Sequence, residues 1–232
     1  MFNKEVYTNR RNQLRNEVKS GIALFLGNEE AAFNYPANTY HFRQDSHFLY
    51  FFGLQNPGFA GIIDFDHNKD YIFGNDFGID DIIWMGVQPK VSSLAAKAGI
   101  ENTAPYNELA KFIAKTKKEG RKIHYLPPYR GETIIELSAL LGLYNADIKP
   151  GASVELINGV VKLKEIKSEE EIVEIEKAVD IAYEMHTTSM RMAMPGRVEQ
   201  EIAGTIEGIS LALGGPVSFP IILSQDGQTL HN

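Results

Sequence analysis

The chain has 232 residues, of which 44% are hydrophobic and 23% charged, ordinary values for a globular protein that buries a core. Its formal net charge of −7 repels phosphate backbones, so we predict no nucleic-acid partner. The absence of cysteine excludes disulfides and thiolate chemistry and is typical of a cytoplasmic protein, and no apolar run reaches membrane-spanning length, so we predict no membrane partner.

The first predicted element is an amphipathic helix over residues 3–20. Leu14 and Val18 lie four positions apart, on one face of a helix, and Gly21 ends the pattern. We expect the three arginines of this segment to point away from that apolar face: Arg10, Arg11 and Arg15.

Strand and helix signals then alternate up to about residue 155. Short β-rich runs predict four strands: 22–27, 59–65, 70–76 and 122–128. The second and third runs flank a turn, which indicates a hairpin. Helical runs follow the hairpin, at 90–99, 106–120 and 131–144. Because a hairpin occurs together with strands joined by helices, we predict an amino-terminal α/β domain with a mixed β-sheet over residues 1–155.

From residue 156 onward the pattern is helical. Ser168 and Glu171 form the S-x-x-E capping box of a long helix, which Pro195-Gly196 ends. A second helix is predicted over residues 197–213.

The last segment contains one predicted strand, the apolar run 217–223. A single strand cannot satisfy its own backbone N–H and C=O groups, and two amphipathic helices need a surface to cover. We therefore predict a helical junction over 156–167 and an incomplete α+β domain over 168–232, whose remaining sheet belongs to sequence beyond this chain.

The segment HFRQDSHFLYFFGL (41–54) concentrates charged and aromatic residues. On an extended strand four polar side chains would share one face and could bind a metal: His41, Arg43, Asp45 and His47. Alternatively, Asp45 or Ser46 begins a short helix whose apolar residues enter the core. The second interpretation is favoured, because no metal-ligand spacing such as H-E-x-x-H is present.

His231 follows the apolar run 217–223 and a polar, glycine-containing turn. An imidazole titrates near neutrality and can donate or accept a proton. His231 is therefore the candidate catalytic residue, and no metal ligand is assigned in this chain.

Six stretches of the sequence, taken in order, are similar to motifs of one known protein family. They are NRRNQLRNEVKSGIALFLG, FRQDSHFLYFFGL, IIWMG, LKEIKSEEEIVEIEKAVDIA, PGRVEQEI and FPIILSQDGQTLHN. In this order they resemble the Xaa-Pro aminopeptidases (aminopeptidase P) of the creatinase/prolidase superfamily. The resemblance implies a creatinase-like amino-terminal domain and, after it, the start of a metallopeptidase domain with the pita-bread fold.

The resemblance also implies roles for two residues. His231 matches the family histidine that contacts the substrate carbonyl, so we expect it to bind substrate and to act in catalysis. Trp84, in IIWMG, matches a residue that approaches a neighbouring subunit's active site in related tetramers, so we expect it to bind substrate. The family's metal ligands follow this histidine, so we expect two manganese ions in the full-length enzyme and none bound by this chain.

The expected full-length protein is a cytoplasmic, homo-oligomeric metallopeptidase that releases the N-terminal residue from Xaa-Pro peptides. We expect the 232-residue chain to be inactive alone, to shape the substrate cleft and to form subunit contacts. Two alternatives remain. One is a creatinase-like amidinohydrolase that works without metal, and the other is a non-catalytic binding or assembly domain.

Overall fold

A computed structural model describes residues 1–229 and divides the chain into two compact units. Unit 1 is Met1–Ile166, and unit 2 begins at Lys167. The elements of unit 1 are α1 (Lys4–Glu17), β1 (Ile22–Leu26), β2 (Ala32–Tyr35), β3 (Asn38–Thr39), α2 (Ser46–Phe52), β4 (Ala60–Asp64), β5 (Lys69–Phe73), α3 (Ile79–Met85), α4 (Val91–Lys97), β6 (Asn102–Ala104), α5 (Glu108–Lys118), β7 (Ile123–His124), α6 (Gly131–Leu141), α7 (Asn145–Ile148) and α8 (Val154–Glu165). Those of unit 2 are α9 (Glu169–Met192) and α10 (Glu199–Leu213).

Unit 1 is built on a five-stranded mixed sheet with the strand order β6-β5-β4-β1-β7. Strand β1 is antiparallel to β4 and parallel to β7, while β5 is antiparallel to β4 and parallel to β6. The mixed α/β fold and the β4–β5 hairpin are therefore confirmed.

Strands β1 and β4 are buried along their whole length because helices cover both faces of the sheet. Side chains of β1 alternate between two core clusters. Ala23 and Phe25 pack with residues of α1, α2 and α8, whereas Leu24 packs with residues of α5 and α6. A strand with two buried faces has a continuous apolar sequence, as IALFL does.

The arginines of α1 do not all point away from the core, and the expectation that they do was wrong. The Arg11 side chain is fully buried. It donates to the Asp70 carboxylate and to the carbonyl oxygens of Phe51 and Ala98, each at 2.8 Å. Arg10 is also buried and donates to the carbonyl of Tyr50 at 2.9 Å. These partners lie on segments distant in sequence, so they offset the cost of burying two charges in a way that helical periodicity does not reveal.

Helix α8 contains most of the residues that we assigned to the junction, and it packs on α1 within unit 1. Leu156 and Val160 share a core cluster with Leu14 and Val18 of α1. A Cβ on Gly159 would lie 3.1 Å from the Leu14 Cδ1 atom, so this glycine permits a close helix approach. The domain boundaries of the sequence analysis themselves stay predictions.

Unit 2 contains the two predicted helices in its described part. The capping box of α9 is confirmed, because the Ser168 N–H donates to the Glu171 carboxylate at 2.9 Å and the Glu171 N–H donates to the Ser168 hydroxyl at 3.4 Å. The strand predicted over 217–223 was wrong, since these residues form no strand. No strand within residues 167–229 is available to pair with them. Among residues 1–229, no helix combines the length and the apolar content that a membrane crossing needs.

Candidate functional site

The charged segment 41–46 begins helix α2 rather than forming a strand. One oxygen of the Asp45 carboxylate accepts hydrogen bonds from the backbone N–H groups of His47 at 2.9 Å and Phe48 at 2.8 Å. These bonds satisfy N–H groups of the first helical turn, as a helix N-cap does. The interpretation of Asp45 as a helix cap is confirmed, and the shared strand face of the metal hypothesis is not formed.

Residues 1–229 contain no group of three or more His, Asp or Glu side chains that could hold a metal ion. The described residues therefore do not provide a two-metal site, and no catalytic step is derived through one.

Gln44 ties the start of α2 to the loop after β1. Its side chain is buried, and its Oε1 atom accepts from the backbone N–H groups of Asn28 at 2.7 Å and Asp45 at 2.8 Å. Its Nε2 atom donates to the carbonyl of Asn56 at 2.9 Å. Gly27 permits this arrangement, since a Cβ there would lie 3.2 Å from the Gln44 amide and 2.7 Å from the Phe59 carbonyl oxygen. One glutamine thus fixes three chain segments around the loop.

A cleft of about 540 Å³ opens where β1 and β7 end. It is lined by side chains from three chain segments: 28–31, 40–46 and 129–130. Because β1 and β7 are parallel neighbours, the loops that follow them leave the same edge of the sheet. Ligands of α/β proteins commonly bind at such carboxyl ends, and this volume is in the range of small-molecule and peptide sites.

The floor of the cleft is fixed by Asn28, which is only 6% exposed. Its Nδ2 atom donates to the carbonyl of Arg43 at 2.8 Å and to the hydroxyl oxygen of Tyr129 at 3.3 Å. Desolvation of that hydroxyl and the neighbouring Asp45 carboxylate raise the pKa of Tyr129, so it stays protonated at neutral pH. Through its two hydrogen bonds, the Asn28 side chain connects the three segments that line the cleft.

The charges along the cleft are of both signs. His41 and Arg43 are exposed, and Arg130 donates to the backbone carbonyl of Glu29 at 3.2 Å. Desolvation raises the pKa of the Glu29 carboxyl, the nearby Glu136 adds to this shift, and Arg130 opposes it. Arg130 also lies 3.6 Å from the Glu132 carboxylate, so its charge is already partnered next to the cleft.

Trp84 lies on the surface of unit 1, in the short helix α3. The helix begins where the Gly78 N–H donates to the Asp81 carboxylate at 2.9 Å. The Trp84 side chain is 88% exposed. Together with exposed neighbours it forms the α3 patch: Phe77, Ile79, Ile83, Trp84, Met85 and Val87. Trp84 is not among the residues that line the cleft. The other predicted site residue, His231, lies outside the described residues.

Sequence reasoning missed the cleft and the small β2–β3 hairpin beside it. The signals for the hairpin were Tyr35 and Pro36, a β-rich residue followed by a turn former. Those for the cleft were Tyr129 and Arg130, polar residues just after a predicted strand. Neither signal says which segments meet, because β1 and β7 are a hundred residues apart in sequence.

Comparison with known proteins identifies the family of this chain. The family model "Aminopeptidase P, N-terminal domain" matches residues 7–124, about half of the chain, from α1 through the last strand of the sheet. The chain belongs to the aminopeptidase P N-terminal domain family.

Curated relatives are similar over most of this chain. The Xaa-Pro aminopeptidase of Escherichia coli is 22% identical over 88% of this chain and 48% of its own length, and that of Haemophilus influenzae is 26% identical over 88% and 46%. The Homo sapiens Xaa-Pro dipeptidase is 22% identical over 85% and 40%. The chain therefore spans about half the length of the relatives it matches, or less.

Solved structures share the fold. E. coli aminopeptidase P with the inhibitor Pro-Leu superposes with a TM-score of 0.74 at 21% identity, over 92% of this chain and 50% of the other. A zinc-substituted form in complex with product gives the same TM-score at 20% identity.

Proposed function

We propose that this chain is the amino-terminal part of an Xaa-Pro aminopeptidase, which releases the N-terminal residue of peptides whose second residue is proline. The observation that supports this most directly is the family match over residues 7–124, together with relatives named as Xaa-Pro peptidases. An Xaa-Pro bond is a tertiary amide without an N–H donor, so its hydrolysis calls for a dedicated enzyme.

In this proposal the chemistry of the whole protein depends on two manganese ions and on His231. A metal pair suits this reaction, because it can activate water and stabilise the developing oxyanion. An imidazole can hydrogen-bond that oxygen or move a proton. The potential ligands within residues 1–229 form no group of three or more, so we propose that the ligands lie elsewhere in the whole protein and that the 232-residue chain alone is inactive.

An activity assay tests this proposal. We expect no turnover of an Xaa-Pro tripeptide by the purified 232-residue chain with added Mn²⁺, and metal-dependent turnover by the product of the complete gene. Replacing His231 by alanine in the complete product should lower kcat by about a hundredfold or more, the scale of losing a proton-transfer group.

The same assay separates the alternatives. Release of urea from creatine without metal by the complete product would contradict the peptidase proposal and support an amidinohydrolase. A complete gene product that turns over neither substrate would support a binding or assembly protein. Turnover of the tripeptide by the 232-residue chain would contradict its proposed inactivity.

We further propose that the α3 patch is a contact between copies of the protein. Six neighbouring apolar side chains lie exposed there, and Trp84 is the most exposed of them. Contiguous exposed apolar surface of this kind marks interaction sites in soluble proteins, and tryptophan is enriched among the residues that dominate interfaces.

Light scattering on purified variants tests this contact. Trp84→Ala should weaken self-association by at least about tenfold in dissociation constant, the cost of truncating a dominant interface residue. Tyr144→Ala is the matched control, because Tyr144 is also an aromatic residue of unit 1, is 83% exposed and lies outside the patch. Equal association of the Trp84→Ala variant and the unmodified chain would refute the proposal.

A further inference from the structure

Methionine supplies the only sulfur chemistry of this chain, because the sequence contains no cysteine. Of its six methionines, only Met1 and Met85 belong to unit 1. A peroxide oxidises a thioether by two electrons: the sulfur attacks one peroxide oxygen, an S–O bond forms and the O–O bond breaks. The proton of the transferred oxygen passes to the departing hydroxide, so the peroxide is reduced to water and methionine sulfoxide remains.

Met85 is open to such an oxidant in a single copy of the chain. It is the last residue of α3 and is 50% exposed. The Gly86 N–H donates to the Ile82 carbonyl at 2.8 Å and ends the helix, and the Gln88 side chain donates to the Met85 carbonyl at 2.8 Å. These bonds fix the backbone around Met85, while its thioether side chain remains in contact with water.

The position of Met85 in the α3 patch makes the polarity of its side chain important. Ile83 and Trp84 precede it in the chain and are 72% and 88% exposed. Oxidation converts a flexible apolar side chain into a polar one. Among the six side chains of the patch only the Trp84 indole carries an N–H donor. Covering a sulfoxide there would remove its water without replacing all of its hydrogen bonds, which costs free energy.

We propose that oxidation of Met85 regulates the contact between copies at the α3 patch. The thioether form permits the contact, the sulfoxide form weakens it, and reduction of the sulfoxide restores it. This inference rests on the proposed contact through the α3 patch. Peroxide acts on the free copies, which a reversible association always leaves in solution, and the oxidised copies then reassociate less.

Light scattering of the 232-residue chain before and after treatment with hydrogen peroxide tests this regulation. Peptide mass spectrometry measures the fraction of Met85 that has gained one oxygen atom. We expect full oxidation to raise the dissociation constant of self-association by about tenfold or more, the scale of leaving one covered polar group unsatisfied. Methionine sulfoxide reductases of both stereospecificities should return the constant to its starting value.

Two leucine variants locate the effect. Met85→Leu removes the sulfur and keeps an apolar side chain, so peroxide should change its dissociation constant by less than about twofold. Met190→Leu is the matched control, because Met190 is 74% exposed on α9 and lies outside the α3 patch. The Met190→Leu variant should lose association on oxidation as the unmodified chain does.

Circular dichroism separates this effect from unfolding. The oxidised chain should keep a native spectrum, and a non-native spectrum would attribute the loss of association to unfolding and overturn the inference. Equal responses of Met85→Leu and the unmodified chain to peroxide would also overturn it. A monomeric untreated chain would overturn the proposed contact together with its regulation, whereas association that is unchanged by full Met85 oxidation would overturn the regulation alone.

Discussion

Strand β1 of unit 1 and helix α9 of unit 2 are both rich in apolar residues, yet they differ completely in burial. All five residues of β1 are buried between two layers of helices, whereas none of the 24 residues of α9 is buried. Ile175 of α9 is 44% exposed, and Ile22 of β1 is fully buried. An apolar pattern therefore sets the local structure of a segment, but burial requires a packed layer on each apolar face.

Among the tests of this comparison, we expect the largest loss of stability when Arg11 is replaced. Arg11→Ala leaves two carbonyl groups of the unit 1 core without this donor and leaves Asp70 with Arg15 as its remaining arginine partner, so we expect it to lower the free energy of unfolding by about 3–5 kcal/mol. Urea unfolding followed by circular dichroism measures this loss.

Arg191, exposed in the last turn of α9, provides the control for Arg11. Arg191→Ala should change the free energy of unfolding by less than about 0.5 kcal/mol. Similar losses for the two variants would mean that unit 1 does not depend on its buried charge.

A matched pair of isoleucines probes the same contrast without charge. Ile62→Ala, at a fully buried position of β4, should cost about 2–5 kcal/mol because it leaves a cavity. Ile175→Ala should cost less than about 1 kcal/mol, since its side chain already contacts solvent. Urea unfolding measures both. A large loss at Ile175 would show that α9 is covered in solution, for instance by a second copy of the chain.

The smallest effect is expected in how the unfolding free energy of unit 1 changes with pH. His124 is fully buried in β7, where its Nε2 atom lies 3.1 Å from the Ser20 carbonyl oxygen and its Nδ1 atom lies 2.6 Å from the Ser153 hydroxyl. A neutral ring that donates from Nε2 and accepts at Nδ1 satisfies both partners. Burial lowers the pKa of His124, and the bond to Ser20 opposes part of the shift.

Because the pKa of His124 is lowered in the folded chain, the direction of the change in stability with pH is set. The unfolded chain binds a proton at His124 at a higher pH than the folded chain does, so stability is full above about pH 6.5 and is lost as the pH falls from there toward the folded pKa. His124→Gln should flatten the slope of unfolding free energy against pH between about pH 7 and 5. Leu137→Ala, a destabilised core variant of the same unit, should keep the original slope. An unchanged slope in His124→Gln would exclude this histidine as the source.

Much of the fold could be predicted from local pattern. The β4–β5 hairpin, the Asp45 cap and the Ser168 capping box all depend on residues close together in sequence, and the mixed sheet was predicted from the order of such local elements. Predictions failed where a distant partner decided the outcome. The run 217–223 has the composition of a strand but pairs with no strand among the described residues, and Arg11 is buried by partners up to 88 residues away.

The residues of the candidate site also divide into one named from the sequence and others found only in the structure. The role of Trp84 was inferred from the resemblance of IIWMG to the family and stays a prediction, and the structure adds that Trp84 belongs to an exposed apolar patch. The cleft was not predicted, because Asn28, Arg43 and Tyr129 become neighbours only when β1 and β7 pair.

The sequence by itself determined the class of the fold and the ends of several helices, because helix caps, turns and apolar periodicity act over a few residues, while its motifs carried the resemblance to the family. Only the tertiary structure decided which charges are buried, which apolar faces stay exposed and where a cleft opens. Those outcomes depend on hydrogen bonds and packing between segments far apart in the chain, and no local pattern specifies which segments will meet.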